Sequence, residues 1–139
     1  MAPSRPASCD AWTLLVRLFF SQRSHLPPLA ADLDLSPAQC HVLHAIEPGQ
    51  PMPMGRLAER LACDASNVTG LTNRLEARGL LRRRPSAGDR RVKVLVLTAA
   101  GVRLRRQLVA RITSPPEQLG RLTPQEQRLL VEMLARLLE

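Results

Sequence analysis

DASNVTGLTNRLEARGLLRRRPSAGDRRVKVLVLT, residues 64–98, is the stretch whose reading decides the fold. Val68, Leu71 and Leu75 recur at helical spacing behind Asp64, which is placed to cap the helix, and Gly79 ends it. Two β-like runs follow, residues 80–84 and 92–97, on either side of the turn-forming Pro85-Ser86-Ala87-Gly88-Asp89. A hairpin is the expected result, and Thr98 then caps a further helix.

Upstream of this stretch, Met54, Leu57, Ala58 and Leu61 repeat at i, i+3, i+4 and i+7, so a helix is expected to start near Pro53. Only a few residues separate it from the helix behind Asp64, which is the spacing of a helix-turn-helix. Before it, Glu47-Pro48-Gly49-Gln50-Pro51 is a breaker cluster. Ser36-Pro37-Ala38-Gln39 reads as a capping box with proline in the first turn, and Leu43 and Ile46 face inward behind it. A first helix is expected over residues 10–24, with Trp12, Leu15, Val16, Phe19 and Phe20 as its apolar stripe, ended by Pro27 and Pro28.

Downstream, Val102, Leu104, Leu108, Val109 and Ile112 belong to the helix capped by Thr98, and Pro115-Pro116 breaks the chain. Thr123-Pro124-Gln125-Glu126 is a second capping box, opening a last helix with Leu130, Met133, Leu134, Leu137 and Leu138. The expected fold is mostly α with a small β-hairpin wing. Residues 1–35 are expected to form an N-terminal arm and helix, 36–98 a winged helix-turn-helix region and 99–139 the C-terminal helices, all within one compact domain.

Composition fits this pattern. The chain of 139 residues is 45% hydrophobic, yet it has two Phe, one Trp and no Tyr, so burial rests on Leu, Val and Ala, which suits helices. The net charge of +8 is concentrated. Residues 74–106 carry eleven cationic side chains against only Glu76 and Asp89, a local balance of +9 that exceeds that of the whole chain. Such a field attracts a polyanion, and nucleic acid is the commonest one. The apolar run of residues 14–20 is interrupted by Arg17 and far too short to span a bilayer, so no membrane partner is expected. The N-terminus lacks a secretory apolar core, and a cytoplasmic location is expected. Cys9, Cys40 and Cys63 are odd in number and have no Cys-x-x-Cys spacing, which argues against a disulfide framework or a zinc knuckle.

With Val68, Leu71 and Leu75 turned inward, the helix behind Asp64 presents Ser66, Thr69, Gly70, Asn73 and Ala77 on its other side, flanked by Asn67 and Arg74. A small, polar face of this kind enters a major groove, where hydroxyl and amide groups meet base edges or phosphates. The five arginines in and around the following hairpin are more than a structural turn needs. Of these, Arg84, Arg90 and Arg91, together with Asp89, are the candidate wing contacts. Arg82, Arg83 and Arg84 do not all serve alike, because alternate strand positions point to opposite faces.

The segment Asp89-Arg90-Arg91-Val92-Lys93-Val94-Leu95-Val96-Leu97-Thr98 matches the signature Asp-x-Arg-x5-Leu-Thr at all four defined positions, and the chain thereby resembles the MarR family of winged helix-turn-helix regulators. Leu57-Ala58, Leu61, Ser66, Val68-Thr69, Leu75-Glu76 and Gly79-Leu80 extend the resemblance, which is strong over residues 36–101. It implies that Arg91 enters a minor groove with Asp89 helping to hold it; Asp89 pairing with Arg91 across the hairpin is the structural alternative. It also implies a homodimer formed by the terminal helices on a pseudopalindromic double-stranded operator. The resemblance further implies a repressor released when a small aromatic or phenolic ligand enters a cleft near Trp12, His41 and His44. One departure is that Met52-Pro53 stands where the family often has a capping Thr or Ser.

Core or interface roles remain the stronger reading for Trp12, His41 and His44. Metal binding by His25, Cys40, His41 and His44, and oxidant sensing at Cys9 or Cys63, rank well behind, so no metal or cofactor is expected. No Gly-rich nucleotide loop, Ser-His-Asp arrangement or paired carboxylates is present, and the chain is not read as an enzyme. Two alternatives remain beside a sequence-specific regulator: a non-specific basic DNA-binding protein, and a winged-helix dimerisation module without regulatory activity.

Overall fold

The computed structural model describes residues 6–139. Helix α1 (Ala7–Gln22) passes through a 3-10 turn (Arg23–His25) into a short helix α2 (Leu26–Asp32). The sequence reading ended the first helix at Pro27 and Pro28. The structure instead seats both prolines in the first turn of α2, where a missing N–H costs nothing. The chain then forms α3 (Pro37–Ala45), β1 (Met52–Pro53), α4 (Met54–Leu61), α5 (Ala65–Ala77), β2 (Leu81–Pro85), β3 (Lys93–Leu97), α6 (Ala99–Ile112) and α7 (Pro124–Leu138), with a 3-10 turn over Glu117–Arg121.

Local chemistry sets most of these boundaries. Ser36 Oγ accepts from the Gln39 N–H at 3.2 Å while Gln39 Oε1 accepts from the Ser36 N–H at 2.8 Å, closing the capping box of α3. Thr123 and Glu126 close the same box on α7. The two hydrogen bonds that Glu126 accepts from Thr123 hold its carboxyl below the usual range. Asp64 does occupy the N-cap of α5, but only its carbonyl works there, accepting from Asn67 and Val68, and its side chain makes no cap bond. Helix α4 begins at Pro53 without a side-chain cap.

The sharp turn between α4 and α5 depends on Ala62, whose φ of 48° is left-handed. In that conformation Cys63 N–H reaches back to the Ala58 carbonyl and Ala62 N–H to that of Glu59, closing the end of α4. Gly79, at φ 68°, ends α5 in the same manner.

The three strands form one antiparallel sheet in the order β1-β3-β2. Leu81 pairs with Leu97 and Arg83 with Leu95, while β1 adds only Met52 opposite Leu95 and Pro53 opposite Val94. Helix α3 is the hub, packed against α2, α4, α5 and α6. Its Val42 and Leu43 are fully buried, as are Ile46 just past its end and Leu57, Leu75, Leu81, Leu95 and Leu108, so the core is mainly aliphatic. Burial pushes the Cys40 thiol up, which favours the neutral, unreactive form.

Thr98 joins the hairpin to α6. Its N–H donates to the Leu80 carbonyl at 3.1 Å and its hydroxyl to that of Gly79 at 2.6 Å, while Oγ1 caps the N–H of Gly101. This brings α6 so close to the chain entering β2 that a Cβ on Gly101 would overlap the Leu80 carbonyl oxygen and lie 2.9 Å from its carbon.

Gly101→Ala is therefore expected to cost about 1–3 kcal/mol through overpacking. Gly55→Ala on α4, where nothing lies within 4 Å of the added atom, should cost nothing. Thermal unfolding of the two variants checks the difference: a Tm several degrees lower for Gly101→Ala only.

Candidate nucleic-acid interface

Helix α5 divides cleanly into two faces. Val68, Leu71, Thr72 and Leu75 are buried, whereas Ser66, Asn67, Thr69, Gly70, Asn73 and Arg74 are all exposed. The side chains of Ser66, Asn67 and Arg74 make no hydrogen bond or ion pair among the described residues. Thr69 Oγ1 donates back to the Ala65 carbonyl at 2.8 Å. Gly70 has open space around the position of a Cβ, so nothing inside the protein requires a glycine there. In mid-helix it costs about 1 kcal/mol relative to alanine.

The hairpin sorts its arginines by strand alternation. Leu81 is buried, and Arg83, on the same side, turns toward α5. Arg82 and Arg84 lie exposed on the opposite side. Arg83 reaches four acceptor atoms on three side chains at once. Its backbone N–H donates to Glu76 Oε1 at 3.0 Å and its Nη1 to Oε2 at 2.5 Å. Its Nη2 donates to Thr72 Oγ1 at 2.9 Å and to Asn73 Oδ1 at 2.6 Å. Sequence alternation showed that neighbouring arginines must diverge but did not show which one turns inward; three cations in a row give no internal reference.

At the tip, Asp89 Oδ1 accepts from the backbone N–H of Arg91 at 2.9 Å and fixes the turn. No side-chain ion pair between Asp89 and Arg91 occurs among the described residues. The guanidinium groups of Arg82, Arg84, Arg90 and Arg91, and the amine of Lys93, are exposed and have no partner among those residues. Both acids of the cationic stretch are thus engaged inside the fold, and the outward cations of the hairpin stay unneutralised by bonding.

Elsewhere arginines brace the body. Arg60 donates to the Ala45 carbonyl at 3.1 Å, Arg78 holds the Asp34 carbonyl and carboxylate, Arg105 meets Glu47 at 2.6 Å and the His44 carbonyl at 3.2 Å, and Arg111 meets Asp32 at 3.2 Å.

The residues proposed from sequence for an effector site are less organised. Trp12 is 68% exposed on α1, and His41 and His44 are exposed on α3, so none belongs to the core of the single chain. No hydrogen bond or ring contact among the described residues joins Trp12 to either histidine. Two open hollows run along α7, against Leu129 and Met133 and against Arg128 and Val131. Neither is lined by Trp12, His41 or His44. No cluster of three or more His, Cys, Asp or Glu side chains that could hold a metal ion occurs among the described residues. Likewise, none of their helices is long and apolar enough to cross a membrane.

Comparison with known proteins places this geometry. The chain is 30% identical over 106 residues to the transcriptional regulator HosA of Escherichia coli O157:H7, spanning 76% of this chain and 78% of that one. Its fold matches apo MarR of E. coli with a TM-score of 0.76 at 24% identity, covering 91% of this chain and 96% of that one. It also matches a MepR mutant of S. aureus bound to an oligodeoxyribonucleotide, with a TM-score of 0.64 at 21% identity, covering 91% and 95% of the two chains. The MarR family profile matches residues 33–92, which hold the helix-turn-helix and the tip of the wing. With this match, the similarity to HosA and the shared winged-helix architecture, the chain belongs to the MarR family.

Proposed function

We propose that the protein is a sequence-specific DNA-binding transcriptional regulator that lays α5 in a major groove and reaches adjacent minor groove or phosphate with the hairpin tip. The observation that carries this is the division among its arginines. Arg60, Arg78, Arg105 and Arg111 of the body are bonded to acids and carbonyls, while Arg82, Arg84, Arg90 and Arg91 stand exposed and unpaired beside the open polar face of α5. A narrow minor groove concentrates negative potential and accepts a guanidinium, which suits Arg91 on a turn fixed by Asp89. Arg84 and Arg90 are placed for phosphates, and Ser66, Asn67, Thr69, Gly70, Asn73 and Arg74 for base edges and backbone.

The working form is a twofold homodimer on a pseudopalindromic operator. Helices α1 and α7 bury no residue in the single chain, and Leu14, Phe19, Val131 and Leu137 are at least 60% exposed. Two apolar helix faces of this kind ask for a partner surface, and closed twofold symmetry presents two α5 helices to one side of a duplex. Repression in the cytoplasm with release by a small aromatic or phenolic ligand completes the proposal, the ligand site arising near Trp12, His41 and His44 when α1 meets its partner. A binding role without catalysis follows from the same parts.

Gel-shift titration on the intergenic duplex beside the protein's own gene tests the assignment. Arg91→Ala is expected to weaken binding roughly five- to 150-fold, about 1–3 kcal/mol, without loss of fold. Unchanged affinity would contradict the wing contact. Gly70→Ala is expected to raise Tm slightly, because only helix propensity changes inside the protein. It should nonetheless weaken duplex binding if α5 approaches DNA closely, and tighter or equal binding would remove that role.

A further inference from the structure

Asn73 is exposed on α5, yet its amide is not free to turn. A guanidinium carries only donors, so the side chain must present Oδ1 to Arg83, which donates to it from Nη2 at 2.6 Å. The two amide N–H donors then point away from the wing. Arg83 in turn has little freedom to yield. Glu76 takes both its backbone N–H and its Nη1, and Nη2 also donates to the buried Thr72 hydroxyl. That hydroxyl donates in turn to the Thr69 carbonyl at 3.1 Å, so the chain of donors runs in one direction.

This direction matters for base reading. Asparagine pairs with adenine in the major groove by using both halves of the amide, the oxygen accepting from N6 and the nitrogen donating to N7. At Asn73 the oxygen is taken by a cation, and the amide plane is set by the wing instead of by a base. The oxygen keeps a second lone pair but is turned toward the wing, so the pair of donors is what the amide turns outward. Guanine offers two adjacent acceptors, O6 and N7, on its major-groove edge, whereas an A·T pair offers single acceptors, adenine N7 and thymine O4, on either side of the N6 donor.

We propose that Arg83 is a positioning residue that makes Asn73 read through its donors, selecting a G·C pair over an A·T pair at one position of each half-site. The inference rests on the DNA-reading role of α5 proposed above. It assigns Arg83 a part in specificity although Arg83 itself faces the protein.

Selection from a library of randomised duplexes, run in parallel with the unaltered protein, Asn73→Ala and Arg83→Met, tests it. The unaltered protein is expected to enrich a two-fold-related motif with one position per half-site whose preference disappears in Asn73→Ala. That position should be G·C, favoured about tenfold over A·T. Arg83→Met frees Oδ1 and should shift it toward A·T, while an arginine that only held the fold would weaken all sequences alike. An A·T preference at the Asn73-dependent position, the absence of any such position, or an unchanged preference in folded Arg83→Met each overturns the inference while leaving DNA reading intact. Failure to enrich any motif overturns sequence-specific reading and this inference with it. Circular dichroism establishes whether Arg83→Met is folded; if it is not, the comparison of the unaltered protein with Asn73→Ala decides alone.

Discussion

The contact of Arg83 with Glu76, Thr72 and Asn73 joins the hairpin to α5, and the proposed grip on a duplex depends on those two elements moving as one. A two-stranded hairpin on its own is marginal in water. Here it gains a third strand from β1, a buried Leu81 and Leu95 against the core, and an arginine bonded to three residues of the neighbouring helix. The bonds are only partly shielded, with Arg83 and Glu76 side chains 27% and 35% exposed. Their value therefore lies more in geometry than in free energy, since half-exposed ion pairs stabilise little. They fix the distance from recognition face to wing tip and the orientation of one amide between them.

The same residue type does opposite work in different places. Arg60, Arg78, Arg105 and Arg111 tie helices together by bonding carbonyls and acids, at 3.1 Å for Arg60 to Ala45 and 2.6 Å for Arg105 to Glu47. Arg82, Arg84, Arg90 and Arg91 have no such partner among the described residues, and Glu76 and Asp89 are occupied elsewhere. A chain with net charge +8 thus keeps much of its unpaired positive charge at the edge where a polyanion is proposed to dock.

Much of the fold was legible because its punctuation is local. Ser36 with Gln39, Thr123 with Glu126, Thr98 at the start of α6 and Gly79 at the end of α5 each act within a few residues, and the structure forms all of these caps. What escaped is set by contacts far apart in sequence. The strand Met52–Pro53 exists only by pairing with β3, some forty residues away. The short helix after Pro27 escaped because proline interrupts a helix interior but suits a first turn, and position alone separates the two. For the site, helical periodicity identified the exposed face of α5, and the wing signature marked Asp89 and Arg91. The inward turn of Arg83 carried no local signal, and the role of Trp12, His41 and His44 is unreadable from one chain because all three lie on its surface.

The central claim is that α5 and the hairpin tip engage successive grooves of the same duplex. Chemical footprinting of both grooves on an operator fragment tests it most directly, through guanine N7 protection in the major groove and adenine N3 protection in the minor groove. The account predicts that each half-site shows a major-groove patch with minor-groove protection about half a helical turn away, and that Arg91→Ala removes only the latter. Protection confined to one groove, or minor-groove protection that survives Arg91→Ala, would contradict it.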